Sequence, residues 1–300
     1  MTGVSVLMTA FNAGEYLHHA VTSLMEQTHK EWELILIDNG SHDDSLKTLN
    51  SSDERIRLIH LEENIGRTPA LKMALELAAH PYVAVLDADD TCRRDRLERQ
   101  AQFLDANPTV VLVGSCVEVI DAVGEVTGGL SPWVGPVPHD ALAERNLFVN
   151  SSIMYRRHDA IAVGGYDNYF EYAQDFHLLL KLASRGELVV LPDFLTRLRV
   201  YATSYTRLPT ARLTRLSDEI ALFKLASETL TLSSNGARLN KRRRALVNLE
   251  IALLASREFH LRQVVRALYR ACRADPRLTW IKYLLEGRPS PNVDPTLSKS

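Results

Sequence analysis

The sequence predicts an α/β protein built on a mostly parallel central sheet with flanking helices, followed by a helical C-terminal extension. Three observations carry that expectation. Over the first 120 residues, short β-rich apolar runs alternate with apolar residues at helical spacing, the pattern of successive βαβ units. Each apolar run in that region ends on a cluster of polar residues. From about residue 210 the pattern becomes helical and strongly basic.

Taken in order, residues 4–9 read as a strand, followed by a helix to about Gln27 with Leu17, Val21, Leu24 and Met25 on one face. Residues 33–38 form a second strand and 43–50 a short helix. Strand 56–60, helix 68–79, strand 82–86, helix 93–105 and strand 110–119 continue the alternation. Residues 127–138, rich in Gly and Pro, read as an irregular connection. A strand over 150–156, a loop over 164–176, a helix over 175–184 and two short strands, 188–191 and 195–201, close the second half. Helices then run to Glu286, interrupted near 233–240 and at Pro276, and the last ten residues read as a disordered tail.

Composition limits the function classes. The 300 residues are 46% apolar and 24% charged, with 35 Lys plus Arg against 37 Asp plus Glu, which excludes a disordered or collagenous chain. A chain of this length buries enough surface to need neither disulfides nor a structural metal. Cys92, Cys116 and Cys272 lie far apart without CxxC spacing, so no disulfide framework or zinc knuckle is expected. No stretch reaches the ~18 apolar residues of a membrane span, and residues 1–14 lack the basic flank of a signal peptide. A cytoplasmic protein in a reducing compartment is the expectation.

The charge is unevenly spread. Residues 235–290 hold 13 Lys plus Arg and four acids, a balance of plus nine, leaving minus eleven for the rest. Basic helices of this kind suit an anionic partner, so peripheral contact with the inner membrane face through 238–288 is one expectation; a solvated helix face is the other. A nucleic acid partner is not expected.

Polar clusters at the strand ends carry the chemistry. They are Thr9, Phe11 and Asn12; Asp38, Asn39, Gly40 and Ser41; Asn64 and Gly66; and Asp87, Ala88, Asp89 and Asp90. In an open α/β sheet the ligand crevice lies beyond the carboxyl ends of the strands, so clusters spread over eighty residues should converge. The Asp87–Asp90 run offers hard oxygen ligands suited to Mg2+ or Mn2+ bridging a diphosphate and poorly suited to zinc. Alone, an Asp-x-Asp triplet is more often a solvated turn. Here it follows an apolar strand directly, and carboxylates packed so closely repel one another unless solvent or a cation screens them.

In order and spacing, the run Ser5-Val6-Leu7-Met8-Thr9-Ala10-Phe11-Asn12, the turn Asp38-Asn39-Gly40-Ser41-His42-Asp43, Asn64-Ile65-Gly66 and Leu86-Asp87-Ala88-Asp89-Asp90 resemble the motifs of the family 2 glycosyltransferases, inverting enzymes of the GT-A fold. Gly164-Gly165-Tyr166-Asp167 and Gln174-Asp175-Phe176-His177-Leu178 resemble the acceptor-side motif, and the likeness runs from Val4 to about Val200. It implies a GT-A domain over 1–205, with a nucleotide-binding half (1–120) and an acceptor half (121–205), a helical extension over 206–290 and a tail over 291–300.

The resemblance also implies roles. Thr9 and Phe11 would line the base pocket with Asn12 and Glu15 nearby, and Asp38 and Asn39 would meet the pyrimidine edge. Arg67 would meet a phosphate, unless it is merely an exposed helix-start arginine. Asp87, beside Ala88, would contact the ribose or support the metal site, Asp89 would be the principal ligand of Mg2+ or Mn2+, and Asp90 the second. Asp175 would be the general base, although an Asp opening a helix also serves as a cap. The implied partners are a nucleotide-sugar donor, UDP-sugar favoured, and a saccharide or lipid-linked acceptor.

Two departures stand out. Many members carry an Arg-x-His pattern after the last sheet strand, where this chain has Arg199-Val200-Tyr201, leaving a metal fewer protein ligands. The Gln-x-x-Arg-Trp motif of processive synthases is absent, which favours transfer of a single sugar. Trp133 would stack on a sugar face, pack into the core or staple its own loop. A sugar nucleotidyltransferase would need a Gly-rich phosphate loop that residues 11–15 do not supply. A non-catalytic nucleotide-sugar-binding partner is opposed by the presence of Asp89, Asp90 and Asp175.

Overall fold

The computed structural model describes residues 2–47, 49, 53–201, 211–257, 266, 269–271 and 273. The elements in chain order are β1 (Val4–Ala10), α1 (Tyr16–Met25), β2 (Trp32–Asp38), β3 (Ile56–His60), α2 (Arg67–Leu77), β4 (Tyr82–Val85), β5 (Thr91–Cys92), α3 (Arg96–Ala106), β6 (Val110–Ile120), β7 (Val126–Leu130), β8 (Gly135–Pro136), α4 (His139–Leu142), β9 (Met154–Arg156), α5 (Arg157–Ala162), α6 (Gln174–Leu182), β10 (Glu187–Arg199), α7 (Ala211–Thr229) and α8 (Ser234–Arg257).

One sheet runs β3-β2-β1-β4-β9-β6-β10-β5, with β7 added on β6 and β8 on β10. The pairs β3–β2, β2–β1, β1–β4 and β6–β10 are parallel. β9 runs antiparallel to both β4 and β6, so those two point the same way, and six of the eight strands in the row share one direction. The mixed α/β sheet with helices on its faces and helices after it agrees with the expected fold class.

Side-chain alternation divides the core between the two faces of the sheet. In β2, Leu34 and Leu36 join the apolar cluster containing Leu17, Leu24, Leu97 and Leu104 of α1 and α3. Ile35 and Ile37 join the opposite cluster, with Leu71 of α2, Leu179 of α6, Phe223 of α7 and Val247 of α8. The C-terminal extension is therefore packed into the second face by its own apolar residues.

Several local expectations differ. Residues 43–47 form turns, because Asp43 accepts from the Ser45 amide (3.2 Å) and hydroxyl (2.5 Å) and from the Gly14 amide (2.9 Å), bonds that compete with a helical turn. β7 and β8 occupy part of the connection expected to be irregular, and Trp133 donates to the Pro136 carbonyl (2.9 Å), the loop-staple alternative. Residues 150–152 form a 3-10 turn, so the strand expected from 150 begins at Met154. The two late strands are one, β10, whose register shifts around Pro192, a residue with no N–H to offer the ladder. The break between the last described helices falls at 230–233, where Asp140 accepts from the Ser233 amide at 2.9 Å. Most of the basic stretch beyond 257, Pro276 and the tail lie outside the described residues. Among those described, no helix is long and apolar enough to cross a membrane.

Candidate active site at the carboxyl ends of the strands

The loops after β1, β2, β3 and β4 are tied together by hydrogen bonds, as their position at one sheet edge predicts. Asn12, held at φ 50°, donates its amide to Ser41 Oγ (3.0 Å) and accepts from the His42 amide (2.9 Å). Asn39 Nδ2 donates to Asn64 Oδ1 and its Oδ1 accepts from the Ile65 amide, both at 2.9 Å. At Gly40, with φ +78°, a Cβ would stand 2.6 Å from the Glu63 carbonyl carbon, so only glycine lets the two backbones approach this closely. Asp38 is fully buried, paired with His60 and bonded by the Ser41 amide at 3.1 Å. Asp38 and Asn39 thus face internal partners, while Phe11 is 47% exposed at the rim and Thr9 and Glu15 flank it on β1 and before α1.

Arg67, the first residue of α2, donates Nη2 to Asp87 Oδ1 at 2.5 Å, linking the third cluster to the fourth. Burial opposes its charge, but the Asp87, Asp175 and Asp89 carboxylates outweigh that penalty and hold its pKa above the usual arginine value. Asp87 Oδ1 also accepts from Asn150 Nδ2 (3.0 Å), and its amide donates to Ser151 Oγ (3.1 Å), so the 150–152 turn braces the aspartate loop. Beneath that loop, fully buried Arg96 donates to the carbonyls of Val85 (2.9 Å) and Ile153 (3.1 Å) and to Gln100 Oε1 (3.1 Å).

Ala88 is buried, and the two aspartates after it differ in setting. Asp89 Oδ2 accepts from the Tyr201 hydroxyl (3.0 Å), and its carbonyl from Arg199 Nε (2.9 Å). Asp90 is 1% exposed, with Oδ1 on the Arg199 amide (2.8 Å) and a buried Oδ2 that has no hydrogen-bond partner. Burial, and then the neighbouring carboxylates, push both acids above the usual carboxylate range.

Asp175 lies in the first turn of α6, whose N-cap position is Ala173, so the acid is not the cap. Its Oδ2 accepts from Asn146 Nδ2 at 2.9 Å. Burial raises its pKa, and the Asp87 charge adds to that, while the Phe176 amide, Arg67 and Asn146 oppose it. Arg67 is therefore the common countercharge of acids drawn from both halves of the chain.

These donors fit a hard divalent cation. The aspartate loop offers carboxylate oxygens, the acids repel one another, and Asp90 Oδ2 is buried without a partner, an excess of negative character that a cation relieves. Among the described residues no group of three or more His, Cys, Asp or Glu side chains is set to hold an ion unaided, so other ligands have to come from a bound diphosphate and water. Asn146, Asn150, Ser151, Arg96 and the Tyr201 hydroxyl are site residues that sequence reading missed. The only signal for them was the polar run ahead of β9 and the departure at Tyr201.

The sequence pattern described as Glycosyl transferase family 2 matches residues 5–164. The chain belongs to that family. Over 201 residues it is 31% identical to the amylovoran biosynthesis glycosyltransferase AmsE of Erwinia amylovora, covering 65% of this chain and 75% of AmsE. In two further curated relatives the match spans 65% and 41% of their length. The GT-A fold is shared with S. aureus TarS 1–349 in complex with UDP-GlcNAc (TM-score 0.72, 16% identity, 91% of this chain and 81% of that one). It is shared also with the mannosyltransferase PcManGT of Pyrobaculum calidifontis in complex with GDP-Man and Mn2+ (TM-score 0.61, 19% identity, 95% and 79%). Family membership agrees with the resemblance drawn from the motifs.

Proposed function

We propose that this family 2 member is an inverting, metal-assisted transferase that moves one hexosyl unit from a nucleotide-diphospho-sugar to a hydroxyl of a saccharide or lipid-linked acceptor. The observation that carries the reading is Arg67, a partly buried cation answering Asp87, Asp89 and Asp175 at the carboxyl ends of the strands.

Phe11 and Thr9 bound the base, and Asp38 and Asn39 hold the turn beneath it. The donor is a UDP-sugar in our reading; TarS was solved with UDP-GlcNAc and PcManGT with GDP-Man and Mn2+. Arg67 faces the diphosphate, and Asp87 fixes Arg67. Asp89, with the charge of Asp90 behind it, holds Mg2+ or Mn2+, which when bound stabilises the negative charge of the departing diphosphate.

Asp175 takes the proton of the acceptor hydroxyl as that oxygen forms its bond to the anomeric carbon. On the opposite face the bond from the anomeric carbon to the diphosphate oxygen breaks, and the nucleoside diphosphate leaves with the electron pair. Configuration inverts, and no second carboxylic acid is needed. Synthesis of a surface polysaccharide, as in the name of AmsE, is a setting consistent with such chemistry. The protein works in the cytoplasm in this reading, at the inner membrane face if its basic helices meet anionic lipid.

A thermal-shift panel of UDP, GDP and their sugars with and without Mn2+ tests the donor. Saturation at 100 times Kd stabilises the native state by about 2.7 kcal/mol, a readily measured shift. No shift with any nucleotide in Mn2+ overturns the reading.

A further inference from the structure

β10 ends at Arg199, and two residues later Tyr201 turns its hydroxyl to Asp89 Oδ2. The contact is braced. The Tyr201 ring lies 5.5 Å from that of Tyr16, the first residue of α1, and the Arg199 guanidinium stands 4.5 Å from the centre of the Tyr16 ring. Arg199 is itself 5% exposed and bonded through Nη1 to the carbonyls of Asp121 and Ala122 (2.9 and 3.0 Å), while its Nε holds the Asp89 carbonyl. Asp89 is thereby fixed at its backbone and at one carboxylate oxygen, by partners from the far end of the domain.

We propose that Tyr201 is a positioning residue that sets which cation the site accepts, by engaging Asp89 Oδ2 and presenting Asp89 to a cation through Oδ1 alone. The inference rests on the reading of Asp89 as the cation ligand. A carboxylate that offers one oxygen suits Mg2+ and Mn2+, whose small octahedral shells take single oxygens at short distance. Ca2+ takes six to eight oxygens and commonly grips a carboxylate by both. To give both oxygens to one ion, Asp89 has to turn away from the phenol, against the packing of Tyr201 on Tyr16. The phenol therefore works as a filter on coordination mode and supplies no ligand itself.

The test is calorimetric titration of UDP into the full chain in Mn2+, Mg2+, Ca2+ or EDTA, for the native protein, Tyr201→Phe and Tyr16→Phe. Native protein should bind UDP about tenfold or more tightly in Mn2+ than in Ca2+. Tyr201→Phe keeps the ring and loses the hydroxyl, so the Mn2+ to Ca2+ ratio should narrow to about threefold or less, through tighter binding in Ca2+, with the EDTA affinity unchanged. Tyr16→Phe keeps both the ring and the Tyr201 phenol and should retain the native ratio. A merely structural role would weaken binding in all cations together and preserve the ratio, and that result overturns the proposal. If native binding does not respond to any cation, the cation reading of Asp89 falls first and this inference with it.

Discussion

Arg67 Nη2 and Asp87 Oδ1 stand 2.5 Å apart, joining the start of α2 to the loop after β4 at the carboxyl edge of the sheet. The pair is about one quarter to one third exposed, so it stays in reach of a ligand while solvent only partly screens it. Replacing Arg67 with Met removes the cation shared by three acids. Nucleoside diphosphate affinity should fall roughly tenfold, the scale of one charge-assisted hydrogen bond. The acid limb of the pH–rate profile should also move to higher pH, because Arg67 lowers the Asp175 pKa. Native affinity in a nucleotide titration of the Met variant would remove Arg67 from the donor site.

The pH dependence has a definite sign. A general base works ionised, and burial holds the Asp175 pKa above the usual value. Transfer should therefore rise with pH along an acid limb centred above about 4, the ordinary carboxylate position. The same shift means that ionising Asp175 costs folding energy, so its contribution favours the native state at low pH and fades as pH rises through the folded-state pKa. A kcat/KM profile from pH 4 to 8 locates the limb. In Asp175→Asn, kcat should drop by about 100-fold or more with donor affinity kept, since the proton is taken only in the transition state. Native-rate transfer by the Asn variant would pass the role to another acid, with Asp167 the next candidate.

Metal dependence should follow Asp89. Asp89→Ala removes the candidate ligand from a loop that Asp87, Asp90 and Arg199 still hold, so the fold should survive while Mn2+-dependent donor binding is lost. Circular dichroism checks the fold, and donor titration with and without EDTA checks the metal. Mn2+-dependent donor affinity surviving in the Ala variant would exclude Asp89 as ligand.

Stability should depend on Arg96 more than on any surface charge. Arg96→Met leaves the Val85 carbonyl and Gln100 Oε1 without this donor, while the Ile153 carbonyl keeps the Val85 amide at 3.2 Å. Unsatisfied buried acceptors of this kind cost about 1–3 kcal/mol each, so a loss of about 3 kcal/mol is expected. Urea unfolding measures it, and a change below about 1 kcal/mol would show that water replaces the guanidinium.

β1, β2 and β4 were legible because both of their faces are buried, so Val4–Ala10, Trp32–Asp38 and Tyr82–Val85 read as mostly apolar runs. The strand-end clusters were legible for a related reason: polar residues directly after such runs have few roles outside a site. Local competition was not legible. Asp43 bonds to Ser45 and Gly14 and replaces an expected helix, and Pro192 interrupts pairing within a strand that continues beyond it. The braces of the site were invisible for want of proximity, since Asn150 and Asp87 lie 63 residues apart in the chain and Tyr201 and Asp89 lie 112 apart.

The three residues of β9 bear on how the chain is made. They pair with β4 on one side and β6 on the other, yet they follow both in sequence. A growing chain that has just produced Ile120 therefore holds two open strand edges with nothing to lie between them, the kind of edge that recruits other chains. At ribosomal rates of about 5–20 residues per second, Arg156 arrives roughly 2–7 s later. Throughout that interval the half-built sheet is exposed to mispairing on this side, and the other edge of β6 waits longer still, for β10.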